Sequence, residues 1–320
     1  MKSGLLVTAA AAAALLIGGH SAQAAWNFTD IVDATAGAVT TQAYGINDFG
    51  QVVGTFQDAS FTQHGFSLSG GNFTTVDIPG AAATEAFGVN NSGQITGYSR
   101  DGSGGIHGFV QTGGAQAAFD EPSAVARGDT VGSGINDTGH VVGSYFDGGG
   151  AEHGFTKAGA SYTPLDVTGL GAAENTRGLG ISSAGTIVDA FISGGIQHGF
   201  IDHAGTYTQL DDPLGVGGTW AAGVDNEGDI VGYYIDGGGI THGFVDLGGS
   251  FYTVDDPNAG TATYIEGVNN ALMVVGYYVD PNALFVGFTA EVPEPATLTL
   301  FGLSALGMAA LRRRRAAPTA

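Results

Sequence analysis

Residues 134–155 read GINDTGHVVGSYFDGGGAEHGF, and residues 223–244 read GVDNEGDIVGYYIDGGGITHGF. Four weaker copies lie elsewhere, so the string is either a catalytic motif or a unit of architecture. As chemistry, Asn136, Asp137 and His153 would be its candidates. As architecture, the same residues shape turns and strand ends. The Gly-[Ile/Val]-Asn position falls at Gly45, Gly88, Gly134, Gly180, Gly223 and Gly267, at spacings of 43, 46, 46, 43 and 44. A His-Gly-Phe triplet follows at His64, His107, His153, His198 and His242, and the sixth copy has Val286-Gly287-Phe288 instead.

Each copy holds four strand-like pieces. In the second, EAFGVN ends at the polar turn Asn-Asn-Ser-Gly, where Asn caps its own backbone and Gly93 takes positive φ. QITGYS alternates as a strand does, RDGSGG breaks the chain, IHGFVQ is a third strand, and GGAQAAFDEP carries a turn and a fourth. Four short strands in about 44 residues is the measure of a propeller blade. After Phe288 the sixth copy lacks a fourth strand of the Phe73–Ala81 type, and the missing piece sits at Asn27–Ala38. A ring needs this arrangement, because an N-terminal strand then completes the last blade and removes an open edge. The expectation is an all-β, six-bladed propeller of four-stranded repeats over residues 26–290, with Phe28–Asp33 beside Phe285–Phe288. The alternative is an open β-repeat solenoid with atypical caps at both ends. The Gly-[Ile/Val]-Asn strand is then innermost, where glycine allows close backbone approach. Pairs such as Val52-Val53 and Val141-Val142, with the triplet phenylalanines, fill the layers between blades.

Both ends of the chain are set aside as processing segments. Lys2, the apolar run Leu5–Ile17 and Ala22-Gln23-Ala24 read as a secretory leader over residues 1–24. At the other end, residues 291–320, Val292-Pro293-Glu294-Pro295 precedes 16 uncharged residues, 296–311, and the cluster Arg312, Arg313, Arg314 and Arg315. As a helix those residues span about 24 Å, short of a hydrocarbon core of about 30 Å. Snorkelling arginines held on the cytoplasmic side ease the mismatch. This tail resembles the PEP-CTERM sorting signal of Gram-negative bacteria. The resemblance implies processing by an exosortase near Pro293-Glu294-Pro295, transient membrane insertion, and delivery to the cell surface or exopolysaccharide matrix. A plain single-span anchor is the alternative.

The repeats, from Tyr44 to Phe288, resemble the HAF-type extracellular repeat family in their Gly-Ile-Asn-Asp-x-Gly-x-Val-Val-Gly strings and His-Gly-Phe triplets. That family implies a surface location and no chemistry. Copy four departs, with Ser182-Ser183 for Asn-Asp and Asp189 for the glycine after Val-Val. Copy six has Ala271-Leu272 where the others have their turn glycine. Irregular pairing is expected in those two blades.

Without leader and arginine cluster, Arg100, Arg127, Lys157 and Arg177 face 30 acids, a net charge near −26. Such a field repels nucleic acid and anionic lipid and favours cations or neutral partners such as glycans. With no cysteine, stability outside the cell is expected from packing, with bound metal as the other source left open.

Loops between strands two and three share a face with loops leading to the next blade. The first set holds Asp58, Asp101, Asp147, Asp236 and Asp280. The second holds Asp33, Asp77, Asp120, Asp166, Asp211 and Asp255. This face is a candidate for Ca²⁺ or cationic partners, since hard cations take several carboxylate oxygens. Turn formation and solubility are the heavier reading of the same aspartates. His64, His107, His153, His198 and His242 are read as strand residues bonded to a neighbouring loop rather than as a metal ring. No thiol, phosphate loop or nucleophile elbow is present. Asp189 and Trp220 break the symmetry and are read as drift in one repeat and a core or rim aromatic. The functional expectation is a non-enzymatic binding or matrix module. A carbohydrate-active enzyme with acids at the channel mouth is the alternative.

Overall fold

The repeat spacing becomes six sheets in the computed structural model, described here for residues 26–32, 37–125, 129–167, 170 and 176–291. Blade one is β2 (Thr40–Ile46), β3 (Val52–Gln57), β4 (Gln63–Ser69) and β5 (Asn72–Val76). Blade two is β6 (Ala83–Val89), β7 (Ile95–Arg100), β8 (Ile106–Thr112) and β9 (Ala115–Phe119). Blade three is β10 (Thr130–Ile135), β11 (Val141–Phe146), β12 (Glu152–Ala158) and β13 (Ser161–Leu165). Blade four is β14 (Gly180–Ile181), β15 (Ile187–Ser193), β16 (Ile196–His203) and β17 (Thr206–Leu210). Blade five is β18 (Gly218–Val224), β19 (Ile230–Ile235), β20 (Thr241–Leu247) and β21 (Ser250–Val254). Blade six is β22 (Ala262–Val268), β23 (Met273–Val279) and β24 (Phe285–Glu291), completed by β1 (Asn27–Ile31).

The closing strand lies antiparallel to β24 in the register Asn27↔Glu291 to Ile31↔Gly287. Phe28 meets Phe288 edge-on at 5.1 Å. The ring is therefore closed and the solenoid alternative is excluded. The Asp33 end of the anticipated pairing, the leader 1–24, Arg127 and the tail from Val292 lie outside the described residues. Among the described residues no helix is long and apolar enough to cross a membrane; the expected span, 296–311, is not among them.

Strand patterning explains the packing. Phe66, Phe109, Phe155, Phe200, Phe244 and Phe288 are all buried between neighbouring sheets, as are Val53, Val142, Val188, Val231 and Val275. Each such phenylalanine contributes roughly 1.5–3 kcal/mol through its buried area. In blades two, three, five and six a threonine near the start of the innermost strand ties that blade to the one before it. The backbone N–H groups of Ile78, Glu121, Asp212 and Asp256 donate to Thr84, Thr130, Thr219 and Thr263 at 3.0–3.1 Å.

Blade four is irregular, its first strand cut to two residues. Blade six, expected to share that irregularity, pairs over Ala262↔Val279 to Val268↔Val274 with the same single slip, before Gly267, that blades one, two, three and five show before their repeat glycines. Its turn is made without glycine because Leu272 adopts φ 56°.

Candidate functional site

Two ends of the central channel differ. Innermost strands run from the face bearing the His and Asp loops to the face bearing the Asn turns. At the Asn face, Asn47 Nδ2 donates to the Asn90 carbonyl at 3.0 Å, and Asn90 to that of Asn136 at 2.9 Å. Asn136 reaches the Ser182 carbonyl at 3.2 Å, and Asn269 returns to that of Asn47 at 3.0 Å. Asp48, Asn91, Asp137 and Asn270 bond one another outside this circle. The opening left there is about 70 Å³.

Toward the opposite face the channel widens to a pocket of about 260 Å³, with residues from all six blades in its wall. Its construction starts from a bulge. Pairing of the first two strands slips between Ala43 and Gly45, and likewise before Gly88, Gly134, Gly223 and Gly267. A bulge re-aims the extra side chain. Here the extra residues are Tyr44, Phe87, Ser133, Ala222 and Glu266, and all five line the pocket with Leu179 of blade four. Repeat glycines make room for this: a Cβ on Gly88 or Gly223 would press on Gly134 or Gly267 of the next blade at 3.1 and 3.0 Å.

Aromatic side chains of blades five, six, one and two form a continuous chain of ring contacts, of which Tyr44, Phe87 and Tyr98 line the pocket. Trp220 stacks on Tyr233 at 5.1 Å, Tyr233 meets Tyr264 at 4.9 Å, and Tyr264 stacks on Tyr277 at 4.7 Å. Tyr277 meets Tyr44 at 5.9 Å, Tyr44 meets Phe87 at 4.9 Å, and Phe87 meets Tyr98 at 5.7 Å. The remaining lining mixes Ser133, Ser144, Glu152, Arg177 and Glu266 with Val131, Leu179 and Ala222.

Blade four supplies the asymmetry. At the glycine after Val-Val, five blades let the first strand's carbonyl approach so closely that a Cβ on Gly54, Gly97, Gly143, Gly232 or Gly276 would collide with it. Asp189 occupies that place in blade four, and the first strand there forms only at Gly180. The fully buried Asp189 carboxylate instead faces Arg177, Nε to Oδ2 3.8 Å. Desolvation pushes Asp189 up to about 7, against the attraction of Arg177. Glu266 shows its carboxyl to the pocket rather than to bulk water. Burial pushes it up to about 8, with Arg177 opposing and Asp189 reinforcing. Asp189 is thus paired with Arg177 rather than being drift in one repeat, and Trp220 is a partly buried aromatic stacked on Tyr233.

The sequence-derived acidic loops have a different local structure. Asp58, Asp101, Asp147 and Asp236 each accept two backbone N–H bonds through Oδ1 from their own turns. Bonds from their turns hold all four below the ordinary carboxylate range, backbone N–H donors first for Asp58, Asp147 and Asp236 and the Ser103 hydroxyl first for Asp101. Their Oδ2 atoms face His64, His107, His153 and His242 Nε2 at 3.6, 3.4, 3.3 and 3.5 Å. Nδ1 of His64, His107, His198 and His242 meets Asp77, Asp120, Asp211 and Asp255 at 2.8, 2.9, 3.0 and 2.9 Å. In blades one, two and five the histidine therefore joins the two loop sets as an Asp–His–Asp clasp, stacked on Phe56 in blade one and Tyr234 in blade five. Asp166 follows β13 at the equivalent place and is exposed. Among the described residues no group of three or more His, Asp or Glu is arranged to hold a metal ion.

Residues 291–315 match the model of the PEP-CTERM protein-sorting motif. This motif marks a secreted, surface-sorted bacterial protein. No curated protein matches the chain in sequence. Among solved structures, AofleA from Arthrobotrys oligospora is similar at a TM-score of 0.54 and 10% identity, over 82% of this chain and 86% of that one. TolB from Acinetobacter baumannii gives 0.52 at 8% identity, over 80% of this chain and 64% of that one. A fungal lectin from Aleuria aurantia, described as a six-bladed β-propeller, gives 0.47 at 13% identity over 79% and 93%. At such identities the likeness is one of fold: the protein is a six-bladed β-propeller carrying a PEP-CTERM sorting tail.

Proposed function

We propose that this propeller is an exported, non-enzymatic binding module that holds a glycan of the cell surface or exopolysaccharide in its axial pocket. The observation that carries the reading is that Tyr44, Phe87 and Tyr98 share one axial pocket with Ser133, Ser144, Glu152, Arg177 and Glu266. Sugar rings present apolar faces that stack on aromatics and hydroxyls that need few, placed polar groups, and pockets of this make-up bind small ligands. Exosortase processing of the PEP-CTERM tail, and the resemblance of the repeats to HAF-type extracellular repeats, support its place in the envelope or matrix. A glycan array probed with the full-length chain, with and without Ca²⁺, tests it. Binding that disappears in Tyr44→Ala and Tyr98→Ala supports the pocket; no glycan retained, or binding indifferent to both substitutions, overturns it.

A second reading, a glycosidase or lyase, has one observation in its favour. Glu266 is held largely protonated near neutral pH on the same wall as Glu152, an acid–base division of the kind glycoside hydrolysis uses. Release of reducing sugar from a bound glycan, lost in Glu266→Gln, would establish that reading instead.

A further inference from the structure

The pocket wall is short of hydrogen-bond donors. Arg177 is the basic residue lining it, and Asp189 already offsets that charge at 3.8 Å. Glu152 and Glu266 line the cavity, and Glu85 stands behind Tyr98 in a hydrogen bond with its hydroxyl. Ser144 Oγ donates to Glu152 Oε1 at 2.8 Å, and Tyr277 bonds Glu266. One hydroxyl cannot satisfy the two oxygens of a carboxylate, which offers about four acceptor positions. Independently, Asp189 Oδ2 is fully buried with no hydrogen-bond partner among the described residues. Desolvation by burial, opposed by Arg177, pushes Glu266 and Asp189 toward their neutral forms.

A neutral guest leaves this wall as it is. An ammonium group brings three donors and no acceptor, forms charge-assisted bonds to carboxylates, and is attracted by aromatic faces. The strongly negative molecule also draws cations toward the mouth. We propose that the axial pocket selects an amine-bearing sugar, its ammonium held by Glu152 and Glu266 and its ring against Tyr44 and Tyr98. This inference rests on the carbohydrate reading above and narrows it to one ligand class.

The test is calorimetry at pH 7 on the full-length chain with a glucosamine oligomer, its N-acetylated form and the glucose oligomer of equal length. The amine form is expected to bind at one site, about tenfold or more tighter than the other two, the gain expected of one good ionic or cation–π contact. Glu266→Gln reduces that preference to about threefold or less, and Glu152→Gln serves if the first variant does not fold. Equal affinity for all three oligomers overturns the amine inference and leaves the carbohydrate reading standing. No binding of any oligomer overturns both. A linear polyamine that competes as well as the amino sugar, or binding that survives Tyr98→Ala, overturns the sugar-site assignment.

Discussion

Arg177 Nε stands 3.8 Å from Oδ2 of Asp189; the place of Asp189 is glycine in the other five blades, and that of Arg177 is Gln42, Glu85, Val131, Trp220 or Tyr264. Each explains the other. The carboxylate would be expelled from so buried a place without its guanidinium, and among the described residues Asp189 is the carboxylate that forms an ion pair with Arg177. Asp189→Gly restores the residue of the other five blades yet is expected to destabilise the protein by roughly 2–4 kcal/mol, because it strands Arg177. Adding Arg177→Val, the residue of blade three, is expected to recover most of the loss. Urea unfolding of both variants reads the difference.

Asp225 gives a pH dependence. It stands where Asn47, Asn90 and Asn269 stand in their blades, and its Oδ1 accepts from Glu227 and Asp229 N–H at 3.0 and 2.9 Å. Its buried Oδ2 has no partner among the described residues. Desolvation, with repulsion from Asp229 and Glu227 added, pushes it up to about 6 from an ordinary 3.8. A raised acid keeps its proton in the folded chain while the unfolded chain gives it up, so stability falls as pH rises between those values. Asp189 and Glu266 extend the same decline to about pH 8. The melting temperature is expected to fall from pH 5 to pH 8. Asp225→Asn should raise stability above pH 6 by about 1 kcal/mol, the worth of one hydrogen bond, and flatten that part of the profile.

A strained turn offers a separate gain. The Asp loops reach positive φ at Gly104, Gly150 and Gly239, but in blade six the same position is Ala283 at φ 64°. Left-handed backbone costs an L-residue roughly 1–2 kcal/mol, and glycine gives part of that back as unfolded-chain entropy. Ala283 is exposed, so no packing is lost. Ala283→Gly should stabilise by about 0.5–1 kcal/mol, visible as a higher melting temperature.

Calcium is expected to leave that temperature unchanged at millimolar concentration. Asp58, Asp101, Asp147 and Asp236 already spend Oδ1 on turn amides and turn Oδ2 toward histidine. A cation would have to displace those bonds to gather the several oxygens it needs. A calorimetric heat with a matching rise in melting temperature would assign the aspartate face to cation binding instead.

Ring closure was legible because the sixth copy stops at Phe288 and the missing strand sits at Asn27. The pocket was not. Tyr44, Phe87 and Glu266 precede a repeated glycine and look like casual variation; only the backbone bulge turns them to the axis. Asp189 looked like drift because its compensation, Arg177, lies ahead of β14 and outside the repeated string. The clasps fell between these cases. Both sets of aspartates were visible on one face, but that His64 or His242 joins them depends on register across three strands.

Because Asn27 pairs with Glu291, the strand made first by the ribosome waits for the one made last. Until β24 emerges, Phe28 and Phe288 lack each other's cover, and blade six offers an unpaired edge through synthesis and export. Sealing the ring closes almost the whole chain into one loop, a non-local and therefore slow step. The chain's most aggregation-prone moment is thus expected just before its final strand docks.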